Sequence, residues 1–318
     1  MTKCITASSI DDLLRAALKH LKRSGRPLAT SRGPCTELTD VHLVLSNPVN
    51  RVSWTASRLL LYSPLAELAW YLSGADSAEQ IAYYLPRYQP LAADGHIPGG
   101  YGPRLFGDPP HDQLNSALEL LRNRPATRRA AVQIFEAGDR EVSPKNVPCT
   151  CTLQFLLREG ALSLIVYMRS NDIWLGFIHD AFCFTMLQEM FARDLGVELG
   201  TYTHLVGSLH LYDEHSAGAQ QYLAEKWQSP QCIMPPMPAG SFAEARGILV
   251  DSEQRIRAGS ADPEWHSSPY WRDIQRLLCL FVAQKENDNA RHEDLRSSLE
   301  NEAYRMLVPS MSLEEGLK

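Results

Sequence analysis

The sequence predicts a mixed α/β chain, because segments with helical apolar spacing and segments of strand-like composition both recur along its 318 residues. The clearest segments lie in the middle of the chain. Two strand-like segments there flank a short turn at Glu159-Gly160, and a long apolar helix is predicted from Phe177 to Leu195. Antiparallel neighbours bring the start of one strand to the end of the next. We therefore expect Cys149, which opens the first strand, to lie beside Arg169 at the end of the second.

The N-terminal part predicts a helix, a loop and a strand. Ser8 or Ser9, three residues before an aspartate, has the spacing of a capping box, and apolar residues then repeat at helical spacing. Small residues and prolines predict a loop from Ala29 to Cys35, which carries Arg32. Val41 to Leu45 has the composition of a strand.

A second helix is predicted around Glu67, within the apolar segment from Leu59 to Leu72. A helical glutamate is usually exposed, but this one stands among leucine and tryptophan residues. Burial would raise the pKa of Glu67 and make it a candidate proton shuttle.

An arginine pair, Arg128 and Arg129, stands between a predicted helix at Leu114 to Leu121 and a predicted strand at Ala130 to Phe135. Adjacent side chains of an extended chain point to opposite faces, so one phosphate meets only one of them unless the backbone bends. A solvated surface pair is the alternative interpretation.

The C-terminal region changes character from about Met234. Prolines there indicate a connector, and helices are predicted from Phe242 to Ile256 and from Tyr270 to Lys285. We find no internal repeat. We expect a single domain over residues 1–318 with a divergent helical C-terminal region.

Composition limits the classes of function. A net charge of -6 argues against broad nucleic-acid binding, which needs a basic face. Seven cysteines in no regular framework favour a reducing compartment. The N-terminus lacks a signal-peptide core and no apolar run reaches membrane-spanning length, so a cytoplasmic protein without a membrane partner is predicted. Cys149 and Cys151 share a strand face, but no further ligands complete a metal site, and no metal is expected.

Several motifs, taken in order, resemble the thymidylate synthase family. They are Pro148-Cys149, Arg169 to Gly176, Glu67 to Leu72, Arg128-Arg129, Gln154-Phe155 and His210 to Tyr212. The set covers roughly residues 30 to 215 and is far more specific than an isolated Pro-Cys. The resemblance implies a three-layer α/β fold with a twisted, mostly antiparallel or mixed sheet, extended here by extra C-terminal helices. It also implies a homodimer packed through the sheets.

The same resemblance implies the catalytic parts. Cys149 is the nucleophile that adds to C6 of a pyrimidine nucleotide, and nearby arginines would lower the pKa of its thiol. Glu67 and Tyr101 manage proton transfer. Asp172 and Gly176 line the place where 5,10-methylenetetrahydrofolate, the one-carbon co-substrate, meets the nucleotide.

The resemblance also implies the ligands of a pyrimidine nucleoside monophosphate. Its phosphate would be bound by two arginines and a serine of one chain and by two arginines of the partner chain. Its sugar hydroxyl would be bound by a histidine and a tyrosine. In that order these are Arg32, Arg169, Ser170, Arg128, Arg129, His210 and Tyr212.

One departure from the family bears on the substrate. Where the synthases have Pro-Phe-Asn, this chain has Ile178-His179-Asp180. The synthase Asn recognises O4 and N3-H of uracil, whereas a carboxylate only accepts hydrogen bonds unless it is protonated, which suits the 4-amino group of cytosine and its N3 once protonated. Asp180 therefore makes the chain resemble the cytidylate (CMP or dCMP) 5-hydroxymethylase branch, and most of all the CMP 5-hydroxymethylases of antibiotic (mildiomycin) biosynthesis.

In that branch, the implied reaction leaves an exocyclic methylene at C5, which water captures to give 5-hydroxymethyl-CMP. His179, on the cofactor side of the site, either packs or positions this water.

Other departures leave alternatives open. Thr150, Ser208 and Glu214 replace a family His, Asp and Asn, and residues around Arg87 and Pro90 replace paired tryptophans. The family's C-terminal Tyr-x-x-x-Pro-x-Ile-Lys motif does not occur. The alternatives are a dCMP hydroxymethylase, a dUMP-methylating synthase and a catalytically silent homologue that binds nucleotide or RNA.

Overall fold

The structure, a computed structural model, describes residues 3–55, 61–107, 112–140, 147–225, 233–259 and 264–308. Within these ranges the chain forms one mixed sheet and a set of helices. The strands are β1 Lys3–Ala7, β2 Arg26–Thr30, β3 Gly33–Leu45, β4 Ala131–Gln133, β5 Thr150–Arg158, β6 Ala161–Asp172 and β7 Glu198–Tyr212. The helices are α1 Ile10–Ser24, α2 Tyr62–Ser73, α3 Ala78–Tyr84, α4 Gly102–Leu105, α5 Gln113–Asn123, α6 Phe177–Leu195, α7 Ser216–Ala224, α8 Phe242–Arg257, α9 Pro269–Lys285, α10 Asn289–Ser298 and α11 Glu302–Leu307.

The sheet is open, with the strand order β1-β3-β7-β6-β5-β4 and with β2 paired to β3. β5 and β6 form the predicted antiparallel hairpin, whereas β6 and β7 are parallel and are connected through α6. The sheet is therefore mixed, and the predicted α/β class is confirmed.

Helix α6 is the central helix against the sheet. All residues from Phe177 to Ala192 are buried, which explains why the helix has no polar face. Helix α2 packs on α6, and α8 and α9 pack on α2. These contacts cover the site-bearing helices from outside, and the C-terminal helices predicted after Met234 are confirmed as α8 and α9.

The N-terminal helix begins as predicted, because Ser9 accepts a hydrogen bond from the backbone N–H of Asp12 at 3.1 Å. The predicted loop from Ala29 to Cys35 is wrong. β2 and β3 instead pair in a hairpin, in which Thr30 lies opposite Gly33. Gly33 has φ +133°, a conformation that lets the chain reverse within two residues. Arg32 thus lies at the tip of a hairpin.

A buried ion pair connects the N-terminal part to α6. Arg51 and Glu189 bond each other with both side chains fully inaccessible, and Glu189 also accepts from the backbone N–H of Met237 at 2.8 Å. The pair therefore ties the C-terminal connector to the core. No helix in the described ranges is long and apolar enough to cross a membrane.

Candidate active site

Two adjoining cavities open around Cys149. The first has a volume of about 360 Å³ and is lined by α2, α6 and the segment between α3 and α4, while the second, of about 220 Å³, lies between β2, β3, β6 and β7. Arg32, Val147, Cys149 and Asp172 line both cavities. The thiol therefore stands where a ligand spanning the two would pass.

The hairpin brings the thiol and the cation together as predicted. The N–H of Arg169 donates to the carbonyl of Cys149 at 3.0 Å, and its Nε donates to the carbonyl of Pro148 at 2.9 Å. Burial nevertheless raises the pKa of the Cys149 thiol, and the positive charges of Arg169 and Arg32 offset this only in part. The arginines therefore act in the expected direction, but in the single chain burial outweighs them and the net shift of the thiol pKa is upward.

The second cavity contains most of the predicted phosphate and sugar ligands. Its lining includes Arg32, Arg169, Ser170, His210 and Tyr212. Burial lowers the pKa of His210, so its ring is neutral near pH 7. A concave site with two guanidinium groups and a neutral imidazole suits a phosphorylated sugar.

The remaining two predicted phosphate ligands lie elsewhere. Arg128 and Arg129 are exposed, outside both cavities of their own chain, just before β4. Their assignment to a neighbouring chain's phosphate stays a prediction.

Glu67 is buried in the wall of the first cavity, 3% exposed, and its carboxylate has three polar side-chain partners. Its Oε1 accepts from the hydroxyls of Tyr71 at 3.0 Å and Tyr88 at 2.5 Å, and its Oε2 lies 2.6 Å from Nδ1 of His179. Burial alone would raise the pKa of Glu67, but the hydrogen bond and charge of His179, the charge of Arg87 and the hydrogen bond from Tyr88 together outweigh it and lower the pKa to about 2. The predicted burial is thus confirmed, and the predicted upward shift is wrong.

His179, which by the resemblance of the sequence stands where the synthases have a phenylalanine, lies at the start of α6. It is 2% exposed, and its Nε2 lies 3.3 Å from the hydroxyl of Ser63. The ring lines the first cavity and holds Glu67. It can therefore exchange a proton with that carboxylate.

Asp180 is the second buried carboxyl in the first cavity, at 7% exposed. Its Oδ2 accepts from Nδ2 of Asn171 at 2.7 Å. Burial, with a further contribution from the negative charge of Glu67, raises the pKa of Asp180 to about 8. Asp180 therefore carries a proton at neutral pH, in contrast to the ionised carboxylate that we assumed from sequence.

Tyr101 lies beside the nucleophile. Its hydroxyl accepts from the backbone N–H of Thr150 at 3.3 Å and from the Thr150 hydroxyl at 2.9 Å. Burial raises the pKa of Tyr101 well above its usual range. Thr150, which replaces the family His, therefore orients a neutral phenol.

The turn into α6 explains Asp172 and Gly176. Oδ1 of Asp172 accepts from the backbone N–H groups of Trp174 at 2.8 Å and Leu175 at 3.1 Å, which shapes the turn. A Cβ on Gly176 would lie 2.9 Å from Nδ2 of Asn171. Glycine is therefore required for the close approach of Asn171 to Asp180.

Sequence reasoning missed the residues that support the two carboxyls. They are Tyr71, Tyr88, Asn171, Tyr202 and His204. Tyr71 lies four residues after Glu67, a helical spacing that could have suggested its contact with Glu67; the other partners are distant in sequence.

No group of histidines, cysteines and carboxylates that could hold a metal ion occurs among the described residues. The six cysteines of the described ranges are free thiols.

The fold and the site define the class of protein. A model of the thymidylate synthase family, described as "Thymidylate synthase", matches residues 53–242, which is more than half of the chain. The protein belongs to the thymidylate synthase family.

Two curated relatives are each similar to 65% of the chain. One, named deoxyuridylate hydroxymethyltransferase, of Delftia phage PhiW-14, is 30% identical over 223 residues, which are 65% of this chain and 62% of the relative. Another of the same name, of Bacillus phage SP01, is 31% identical over 222 residues, which are 65% of this chain and 57% of the relative. The chain thus spans about three fifths of the length of these relatives.

Proposed function

We propose that the protein is a pyrimidine nucleoside monophosphate 5-hydroxymethylase that acts on CMP and uses 5,10-methylenetetrahydrofolate as the one-carbon donor. One observation carries the proposal: two buried carboxyls, Glu67 and Asp180, line the cavity that contains Cys149 and have pKa values of about 2 and about 8. Two acids whose environments separate their pKa values in this way can serve as base and acid at the same pH.

Asp180 supports cytosine as the base. N3 of cytosine is an acceptor that must gain a proton when Cys149 adds to C6. Asp180 carries a transferable proton at neutral pH, and its carboxyl can accept from the 4-amino group once that proton has moved to N3. Uracil already carries a proton on N3, so an amide is sufficient to recognise it.

The second cavity accounts for the rest of the nucleotide. Arg32 and Arg169 would bind the phosphate, together with Arg128 and Arg129 of the partner chain in a homodimer. His210 and Tyr212 would hold the sugar hydroxyl. The preference for CMP over dCMP, and a role in antibiotic biosynthesis, rest on the resemblance of the sequence to CMP hydroxymethylases.

The folate would occupy the apolar part of the first cavity, next to Trp70, Leu91, Leu175 and Gly176. Flat apolar walls with a few polar groups suit a pterin ring. Once Cys149 has added to C6, C5 would take up the one-carbon unit that the folate supplies. Loss of the C5 proton together with departure of tetrahydrofolate would then leave an exocyclic methylene on the base.

Water then adds its oxygen to this methylene. When its ring is neutral, His179 of the Glu67–His179 pair takes the proton released by the water. Cys149 then leaves C6 with the bonding electrons and N3 returns its proton to Asp180, so that the thiolate and the acid are regenerated and the hydroxymethyl nucleotide is formed. The polar contact of His179 with Glu67 supports this step, because the phenylalanine of the synthases could not hold a proton.

A second candidate is the 5-hydroxymethylation of dUMP, which the names of the two phage relatives favour. A protonated Asp180 can also donate to O4 of uracil and accept from its N3-H. The two candidates share the nucleophile and the chemistry at C5, and differ in the base.

The test is release of tritium from C5-labelled CMP, dCMP, UMP and dUMP with methylenetetrahydrofolate, coupled to mass analysis of the product. Release from CMP with gain of a hydroxymethyl group is expected, and Cys149→Ala should abolish it. A hydroxymethyl product from dUMP alone would replace the proposal by the second candidate. A methyl product would indicate a synthase, and no release from any nucleotide would indicate a silent homologue.

A further inference from the structure

A buried chain of hydrogen bonds runs from Asp180 into the core. Asn171 donates to Oδ2 of Asp180 at 2.7 Å, Oδ1 of Asn171 lies 3.1 Å from Nε2 of His204, and Nδ1 of His204 lies 2.7 Å from the hydroxyl of Tyr202. Asn171 is 3% exposed, and His204 and Tyr202 are inaccessible. No step of the proposed reaction uses these three residues.

The chemistry of the groups determines the direction of this chain. An amide nitrogen only donates and an amide oxygen only accepts, so His204 donates from Nε2 to Asn171. Burial lowers the pKa of His204 to about 3, so the ring is neutral and carries one N–H. Its Nδ1 must then accept from Tyr202. Each group therefore donates a hydrogen bond to the next one, from Tyr202 through His204 to Asn171, and Asn171 donates to Asp180.

This direction has a consequence for the carboxyl of Asp180. A carboxylic acid accepts a hydrogen bond more strongly at its carbonyl oxygen than at its hydroxyl oxygen, so the hydrogen bond from Asn171 favours Oδ2 as the carbonyl oxygen. The proton belongs on Oδ1, the oxygen that remains for a base in the cavity. A neutral acid that could turn freely would fit cytosine and uracil alike, whereas an acid with its proton on a defined oxygen fits one donor–acceptor pattern.

We propose that Asn171, held by His204 and Tyr202, is a positioning residue that determines which oxygen of Asp180 presents the proton to the pyrimidine, and thereby determines base selectivity. The proposal rests on the proposed function. Gly176 is part of the same arrangement, since a side chain there would collide with the amide of Asn171.

Other groups also act on the protonation of Asp180. The charge of Glu67 on α2 and that of Asp172 on β6 favour the protonated form, while Arg87 and the hydrogen bond from Asn171 favour the ionised form. The neutral titratable neighbours are Tyr101, Cys149, Cys183 and Tyr202. Removal of Asn171 alone leaves all of these in place.

The experiment compares Asn171→Ala, Tyr202→Phe and the control Thr185→Ala in the full-length protein. Thr185 is a buried residue of α6 whose hydroxyl, within the described part of the chain, donates to carbonyls of its own helix. The measurement is kcat/KM for CMP and UMP as a function of pH. Asn171→Ala should reduce the preference between the bases by about tenfold to a hundredfold, the usual effect of a hydrogen bond to an ionisable group.

The same variant should move the alkaline limb of kcat/KM upward by about one pH unit, because the lost hydrogen bond stabilises the ionised form. Tyr202→Phe, which alters only the far end of the chain, should act in the same direction with a smaller effect. Thr185→Ala should change neither quantity.

A second readout does not depend on activity. Carbon-13 NMR of aspartate-labelled protein follows the titration of Asp180 directly, and Asn171→Ala should raise its midpoint. If no nucleotide is converted by the parent protein, the proposed function fails while this titration still tests the chain of hydrogen bonds. An unchanged midpoint, or an unchanged base preference in an active Asn171→Ala variant, would overturn the proposal.

Discussion

The raised pKa of Asp180 lowers the free energy of unfolding near neutral pH, and this loss can be measured. In an unfolded chain the pKa of Asp180 is near 3.8, whereas in the folded protein it is about 8. Between these values the folded state holds a proton that the unfolded state has released. The contribution of Asp180 to the free energy of unfolding therefore falls as pH rises from about 4 to about 8, with a slope of about 1.4 kcal/mol per pH unit, and does not change further above that range.

Asp180→Asn removes the titrating group and keeps its shape. At pH 7 the roughly three units that separate this pH from 3.8 correspond to about 4 kcal/mol. The variant should gain stability over the parent protein by this amount between pH 4 and pH 7. The gain is expected because Asp180 of the parent protein must take up a proton on folding at these pH values, whereas the amide of the variant does not.

Urea unfolding followed by tryptophan fluorescence, at one protein concentration and at several pH values, measures the difference between the two proteins. Thr185→Ala, which removes no titratable group, is the control and should give a difference that is independent of pH. A flat difference for Asp180→Asn as well would refute the assignment of a raised pKa to Asp180.

Two further substitutions test the framework of the site. Gly176→Ala should displace Asn171 and lower kcat/KM at least about tenfold, because its Cβ would lie 2.9 Å from the amide nitrogen of Asn171. Gly138→Ala, whose Cβ would have nothing within 4 Å, is the control and should leave activity unchanged. Equal activities of the two variants would contradict the required close approach. Arg51→Ala should reduce the free energy of unfolding by about 3–5 kcal/mol in urea, because it leaves Glu189 buried without its main partner. Glu119→Ala, which breaks an exposed ion pair with Arg122, should cost less than about 1 kcal/mol, and similar losses for both would argue against the buried pair.

Local signals in the sequence were sufficient for most of the elements. The cap at Ser9, the hairpin around Glu159-Gly160 and the long apolar helix from Phe177 each depend on residues close together in the chain. The same holds for the position of Cys149 beside Arg169, which follows from the geometry of one hairpin. The loop prediction for Ala29 to Cys35 was wrong because small residues and proline are compatible with a tight strand pairing as well as with a loop.

The protonation states of the site were decided by tertiary structure alone. The sequence by itself places Glu67 among apolar residues and predicts a raised pKa for it if it is buried, whereas Asp180 is treated there as a carboxylate that accepts hydrogen bonds. In the fold, Glu67 meets His179, which lies 112 residues away, and its pKa falls, whereas Asp180 faces an uncharged amide and the negative charge of Glu67, and its pKa rises. Burial has the same sign for both carboxyls, and only the partners that the fold brings to each one separate the base from the acid.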